Sequence, residues 1–299
     1  MFGNDSYPRY DGSVYRPPSE ADSLILQVMY GCSYGECTFC GMYSDKKFRV
    51  RPFAEVREDV EKLPPAIKAR ADRVFLADGD ALALPARSMV RVLDLLAAEL
   101  PSLRRVSSYA NAHSLLKRSE EELQILRERG LEMLYLGLES GDEETLERTC
   151  KGVTVGQTIE ACQKAKRAGC RLSIMAILGL GGAERSLEHA RGTGRALSAI
   201  DPDYISLLTL MPAPGAPLVE KIEKGEFRLP RPEGSLRELR DTIATTEVTR
   251  AVFRTTHASN YLGIEGTLPE DKAAMLEVLD GVLAGGGREW VRPESVRRL

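Results

Sequence analysis

Long apolar runs are missing from these 299 residues: 43% are hydrophobic, yet no run approaches the roughly eighteen residues of a membrane span. The first residues, among them Asn4, Asp5, Pro8 and Asp11, lack the apolar core of a signal peptide. The expectation is a cytoplasmic protein with no membrane partner. An excess of one charge is missing too. With 41 basic and 44 acidic residues interleaved, the net charge of −3 leaves no footprint that demands nucleic acid. Histidine occurs only three times, and none lies near the first cysteines. Disulfide spacing is also absent: Cys32, Cys37 and Cys40 crowd one loop, Cys150, Cys162 and Cys170 are scattered over helix and strand ends, and no cysteine follows. That is a reducing-compartment pattern.

What is present is Gly31-Cys32-Ser33-Tyr34-Gly35-Glu36-Cys37-Thr38-Phe39-Cys40-Gly41. Closed structural metal sites usually take four protein ligands, and no fourth Cys or His follows until His113. Three thiolates on a cubane cluster leave one iron open, which is what a catalytic metal site keeps for a substrate or cosubstrate. A zinc site completed by a remote residue and three unligated thiols stay open as readings.

Along the chain, residues 1–21 carry Arg16-Pro17-Pro18 and no apolar period, so they read as an extended arm. Leu24 to Tyr30 suits a strand buried on both faces, and the cysteine loop leaves from its end. A helix is expected from Pro52 to Leu63, then strands over 74–77, 105–109, 133–138, 171–178 and 204–210. Helices between them are expected over 85–100, 119–129, 143–148, 155–168 and 185–199. Six strands alternating with helices argue for an α/β protein with a parallel sheet. Periodicity alone fits an open doubly wound sheet equally well. In either topology ligands gather at the C-terminal ends of strands, where this sequence places Asp78-Gly79-Asp80, Asn111, Gly137-Leu138-Glu139-Ser140, Gly179-Leu180-Gly181-Gly182 with Arg185, and a proline-rich turn from Met211 to Pro217. Residues 216–299 read as a mostly helical extension. Its His257-Ala258-Ser259-Asn260-Tyr261 stretch either reaches toward substrate or packs as a buried hydrogen-bonded motif, and the tail from Gly285 reads as an exposed end. His113 reads as a hydrogen-bonded structural residue.

The cysteine loop resembles the signature of the radical SAM enzymes, with two residues between Cys37 and Cys40, Phe39 in the aromatic place, and a variant first gap of four residues. The Gly-Leu-Glu-Ser stretch is similar to that of relatives of the Elongator catalytic subunit and oxygen-independent coproporphyrinogen oxidase. This resemblance implies a partial (β/α)6 TIM-like barrel over 22–215, with the arm before it and the helical extension over it. It implies an oxygen-sensitive 4Fe-4S cluster on Cys32, Cys37 and Cys40, and S-adenosylmethionine held by Phe39, Gly79, Asp80, Glu139, Ser140 and Gly179. Asp78, Asn111, Arg185, His257, Asn260 and Tyr261 are candidates for the substrate pocket; no catalytic side chain is assigned.

The expected activity is reductive cleavage of S-adenosylmethionine to a 5'-deoxyadenosyl radical that takes hydrogen from a small or medium-sized organic substrate. The electron would come from a donor such as flavodoxin or ferredoxin. Sulfur insertion of the lipoyl or biotin synthase type needs a second cluster, for which Cys162 and Cys170 are awkwardly placed. The proteins with Cys-rich C-terminal extensions have no counterpart here, and no cobalamin-binding or RNA-binding domain is expected. A non-catalytic iron-sulfur carrier or sensor and a zinc scaffold are the rivals from other classes.

Overall fold

The computed structural model describes residues 7–298, so the first six residues of the expected arm and Leu299 lie outside it. Contacts divide the described residues into two compact units: those up to 35, 42–136 and 161–171 form the first, and 36–41, 137–160 and those from 172 on the second.

In the first unit the parallel strands run in the order β1 (Leu24–Gln27), β4 (Arg73–Ala77), β5 (Arg105–Ala110) and β6 (Leu131–Glu139), the last passing into the second unit at Gly137. The apolar run 24–30 is two strands rather than one. Val28 takes Ala77 as backbone partner through its N–H and Arg51 through its carbonyl. Met29 and Tyr30 (β2) then pair antiparallel with Arg49 and Val50 (β3). The helices α1 (Phe53–Glu61), α2 (Pro65–Arg70), α3 (Ala86–Glu99), α4 (Ala112–Lys117) and α5 (Glu120–Glu128) lie between the strands. Ser119 and Glu122 form a reciprocal capping box at the start of α5. Short α2 and α4 were not foreseen. Phe75, Tyr109 and Tyr135 meet edge to face inside this unit, and the arm's buried Glu20 accepts from Arg105 and Tyr135.

In the second unit β7 (Arg171–Leu178), β8 (Tyr204–Thr209) and β9 (Ala251–Arg254) are parallel, and β10 (Glu265–Leu268) closes the order antiparallel to β9. The segment 216–299 is mostly helical as expected, and the short strands β9 and β10 are an addition to that reading: four residues apiece are too short to carry a period. Helices α6 (Glu143–Arg148), α7 (Val155–Arg167, finishing in the first unit), α8 (Ser186–Ile200), α9 (Pro217–Glu223), α10 (Pro232–Thr245) and α11 (Lys272–Leu283) complete the elements. The described part of the tail is mostly exposed, as expected, but it is fastened near its end. Arg297 is only 9% exposed; its guanidinium donates to the carbonyls of Ser259 and Leu210 and to the Tyr261 hydroxyl, and it lies 4.0 Å over the Tyr261 ring. Arg292 fastens the same segment through the carbonyls of His257, Ala258 and Asn260.

Candidate active site

The first stretch of the cysteine loop is held by the residues that follow β4. Asp78 is fully buried, and its carboxylate accepts from Gln27 at 3.0 and 2.9 Å, from the Gly31 N–H at 3.0 Å and from the Lys46 ammonium at 3.0 Å. One carboxylate thereby fixes the residue before Cys32. Gly79 donates its N–H to the Gly31 carbonyl, and a Cβ there would sit 3.1 Å from the Cβ of Cys32 and 2.9 Å from the Tyr43 ring. Only glycine lets these two backbones approach so closely.

Asp80, also fully buried, accepts from Ser33 at 2.6 Å, from the Ser114 hydroxyl, and from the Asn111 N–H at 3.3 Å. The Asn111 amide adds a bond to Ser33 at 2.9 Å. Burial pushes the Asp80 carboxyl up to about 6, against the hydrogen bonds of Ser114, Ser33 and Asn111 and the nearby Arg118, which pull it down. His113 stacks on Tyr34 with centroids 4.4 Å apart. The strand ends after β4 and β5 therefore converge on Cys32, Ser33 and Tyr34, all within the first unit.

Cys37 and Cys40 belong to the second unit. Between them Phe39 is buried against Leu180, Leu210 and Leu218, and the Thr38 N–H donates to the Thr149 carbonyl at 3.0 Å. Among the described residues no three Cys, His, Asp or Glu side chains stand gathered as around a metal ion, the loop cysteines included, and none of the six cysteines is in a disulfide. The donor chemistry nonetheless separates two sets. Cys32, Cys37 and Cys40 are at least partly exposed. Burial pushes the Cys162 thiol up to about 12 and that of Cys170 up to about 11, which keeps both protonated and unsuited as ligands. The loop thiols, with Gly79 leaving room at Cys32, fit a three-thiolate cluster by donor type.

After β6 the Gly-Leu-Glu-Ser stretch takes its residue types from one close approach. Glu139 has φ 64° and folds its carboxylate back over Gly137, where an added Cβ would lie 1.8 Å from Oε1. Lys151 pairs with that oxygen at 3.0 Å. The Ser140 hydroxyl is buried, 2.7 Å from Nδ1 of His189, and accepts from the Asp142 N–H at 3.0 Å. With His189 Nε2 donating to the Ile177 carbonyl at 3.0 Å, Nδ1 is the acceptor for Ser140. Burial pushes this imidazole down to about 4, so it is neutral.

Gly179, with φ 86°, follows β7. Its N–H donates at 2.5 Å to Glu238, a 1% exposed residue of α10 whose other oxygen accepts from Ser186 at 2.6 Å. Burial raises the Glu238 carboxyl to about 7 against those two bonds. His189 and Glu238 were missed in the sequence. The available signal was their place on helix faces: Glu238 stands among buried Ser235, Leu236, Leu239 and Thr242, and His189 among buried Ala190, Thr193 and Leu197.

Other candidates are committed to packing. Arg185 donates twice to Asp142 at 2.8 Å and pairs with Glu144 at 2.6 Å, which draws the Asp142 carboxyl down to about 2. The Asn260 amide accepts from Thr209 and donates to the carbonyls of Leu207 and Thr255, each at 2.8 Å. His257 accepts through Nδ1 from the Ser259 N–H at 3.1 Å. Tyr261 faces a cavity of about 280 Å³ at the ends of β7 and β8, lined also by Gly179, Thr209, Leu210, Pro230 and Arg297.

Parallel strands with polar residues gathered at their C-terminal ends define an α/β enzyme scaffold. The radical SAM superfamily model matches residues 26–191, and the chain belongs to that family. It is 24% identical over 151 residues to the hopanoid C-3 methylase of Methylococcus capsulatus, a match covering 50% of this chain and 27% of that one. It is likewise 24% identical over 161 residues to the heme chaperone HemW of Bacillus subtilis, covering 54% of this chain and 42% of that one. The chain thus spans less than half of either relative. The solved coproporphyrinogen III oxidase HemN of Escherichia coli superposes with a TM-score of 0.55 at 17% identity, over 74% of this chain and 51% of that one. The superposition bears out the α/β fold of partial TIM-barrel type, and the family to which the chain belongs implies S-adenosylmethionine and a 4Fe-4S cluster. Among the described residues no helix is long and apolar enough to cross a membrane.

Proposed function

We propose that Cys32, Cys37 and Cys40 hold a 4Fe-4S cluster, and that this chain uses S-adenosylmethionine to start hydrogen abstraction from a small or medium-sized organic substrate. The observation that carries the reading is the convergence of Asp78, Gly79, Asp80 and Asn111 on the start of the cysteine loop. When bound, the cluster and S-adenosylmethionine supply the one-electron cleavage of a carbon–sulfur bond and the deoxyadenosyl radical that follows from it.

The chain's own residues position and enclose. Asp78 holds the Gly31 N–H just before Cys32, Asp80 holds the Ser33 hydroxyl just after it, and Phe39 anchors the segment between Cys37 and Cys40 in an apolar wall. Glu139, at a strand end with two carboxylate oxygens, would accept from a ribose diol; the bond from Lys151 at 3.0 Å holds it in orientation. Ser140 works through shape, since its hydroxyl is occupied by His189 and Asp142. Gly179 borders the cavity that Tyr261 also faces, and we assign that cavity to ligand. Asp78, Asn111, Arg185, His257 and Asn260 serve by holding neighbouring backbone and side chains in place, each through its own hydrogen bonds. We keep the arm 1–21, the barrel 22–215 and the extension 216–299 as the functional divisions. The protonated, buried Cys162 and Cys170 weigh against a second cluster and so against sulfur insertion.

The test is 5'-deoxyadenosine formation by anaerobically reconstituted protein with S-adenosylmethionine and dithionite. Wild type forms it, Cys37→Ala loses at least 100-fold, and Cys162→Ala keeps it. A loaded wild-type cluster that yields no product, with an electron paramagnetic resonance spectrum indifferent to S-adenosylmethionine, overturns the reading.

A further inference from the structure

The segment 46–51 (Lys-Lys-Phe-Arg-Val-Arg) carries four basic residues used in two ways. Lys46 and Arg51 turn inward, with side chains 6% and 3% exposed, to Asp78 and Asp59. The four residues between them, Lys47, Phe48, Arg49 and Val50, are all exposed. Phe48 is 44% and Val50 37% exposed. The Arg49 guanidinium spreads 4.1 Å above the Tyr30 ring and comes within 4.0 Å of exposed Asp11. Among the described residues the small sheet holds only β2 and β3, so the outer edge of β3 carries no further strand. Lysine and arginine on such an edge discourage strand pairing, but that role does not call for an outward phenylalanine and valine. The strip also lies against the cysteine loop: a Cβ on Gly31 would be 3.4 Å from the Lys46 carbonyl and the Phe48 nitrogen.

We propose that Lys47, Phe48, Arg49 and Val50 form the docking surface for a small acidic electron-carrier protein. This rests on the radical SAM reading above. Each turnover draws one electron from the reduced carrier, which is oxidised by one electron; that electron is consumed in splitting one S-adenosylmethionine into methionine and the deoxyadenosyl radical. Exposed apolar side chains interleaved with Lys47 and Arg49 match an acidic partner with apolar contacts of its own, and on a chain of net charge −3 these two cations supply local steering that the whole surface does not. Electron-transfer encounters are small and weak, which suits a surface of a few residues.

The experiment compares reconstituted wild type with Lys47→Glu, Lys47→Glu/Arg49→Glu and Phe48→Ala. The electron source is either dithionite or an acidic flavodoxin kept reduced by its NADPH-dependent reductase, and flavodoxin binding is titrated directly at low and high salt. Flavodoxin-driven 5'-deoxyadenosine formation and binding should fall at least tenfold in the double variant and more mildly in the other two. Wild-type binding should weaken with salt, while dithionite-driven formation stays within twofold. Lys47→Glu alone preserves the Arg49 stack on Tyr30. Equal losses with both reductants, or none with flavodoxin, overturn the proposal, as does a wild-type dimer that the variants dissolve or a strip that binds single-stranded RNA in place of flavodoxin. If wild type cleaves nothing even with dithionite, the functional reading has failed, and the binding titration still decides the docking.

Discussion

The two units fasten their strand ends by different means. In the first, the carboxylates that organise the site, Asp78 and Asp80, stand directly after β4, so the strand that brings them also supplies them. In the second, the strand end after β7 is fastened by Glu238, which arrives 59 residues later on α10, and the hydroxyl after β6 is held by His189, 49 residues on. Carboxylates at the end of β4 reach back 47 residues to the loop that bears Cys32, whereas a carboxylate from a later helix shapes the cavity beside Gly179. The family match ends at residue 191 and so covers the first arrangement without reaching Glu238.

Asp78→Ala should break this comparison most severely. It leaves the Lys46 ammonium, the Gln27 amide and the Gly31 N–H without their shared acceptor, and removing one partner of a buried ion pair costs about 3–5 kcal/mol. Denaturant unfolding of the metal-free protein measures that loss, and iron loading should fall with it. Glu238→Ala should cost less, about 1–3 kcal/mol for the buried Gly179 N–H left without an acceptor. It should keep iron loading and weaken S-adenosylmethionine binding, read by calorimetry. Equal iron loss in both variants would remove the distinction between the units.

This difference explains what was legible in the sequence. Gly79, Asp80 and Asn111 were readable because each follows a strand with a clear period, so topology alone brings them to one end. Strand 171–178 and helix 143–148 were placed as they stand for the same reason. The hydrogen bonds that commit Asp78, Arg185 and Asn260 to packing were not readable, because their partners are remote in sequence; Asn260 meets Thr209 across 51 residues. Glu238 and His189 escaped because an acid or a histidine in an amphipathic helix ordinarily reads as solvent-facing, and only its position on the apolar stripe says otherwise. The fastened tail is a similar case, since nothing local to Arg297 announces the carbonyls of Leu210 and Ser259.

The smallest expected effect in wild type is also the sharpest test of the second unit, because two groups there oppose each other. Glu238 is raised from 4.5 to about 7, so the folded state holds its proton more tightly; the stability this gives is full below 4.5 and is lost as pH rises through about 7. His189 is lowered from 6.5 to about 4, so the folded state excludes a proton that the unfolded chain takes; that contribution is lost as pH falls from 6.5 towards 4. Each displacement is worth on the order of 3 kcal/mol, of opposite sign and over overlapping windows. Denaturation midpoints of wild type between pH 4.5 and 6.5 should therefore owe little to this pair. Glu238→Gln leaves the His189 contribution uncovered, so its stability should rise with pH across that range relative to wild type. Parallel curves for the two proteins would mean that Glu238 titrates as an ordinary carboxyl.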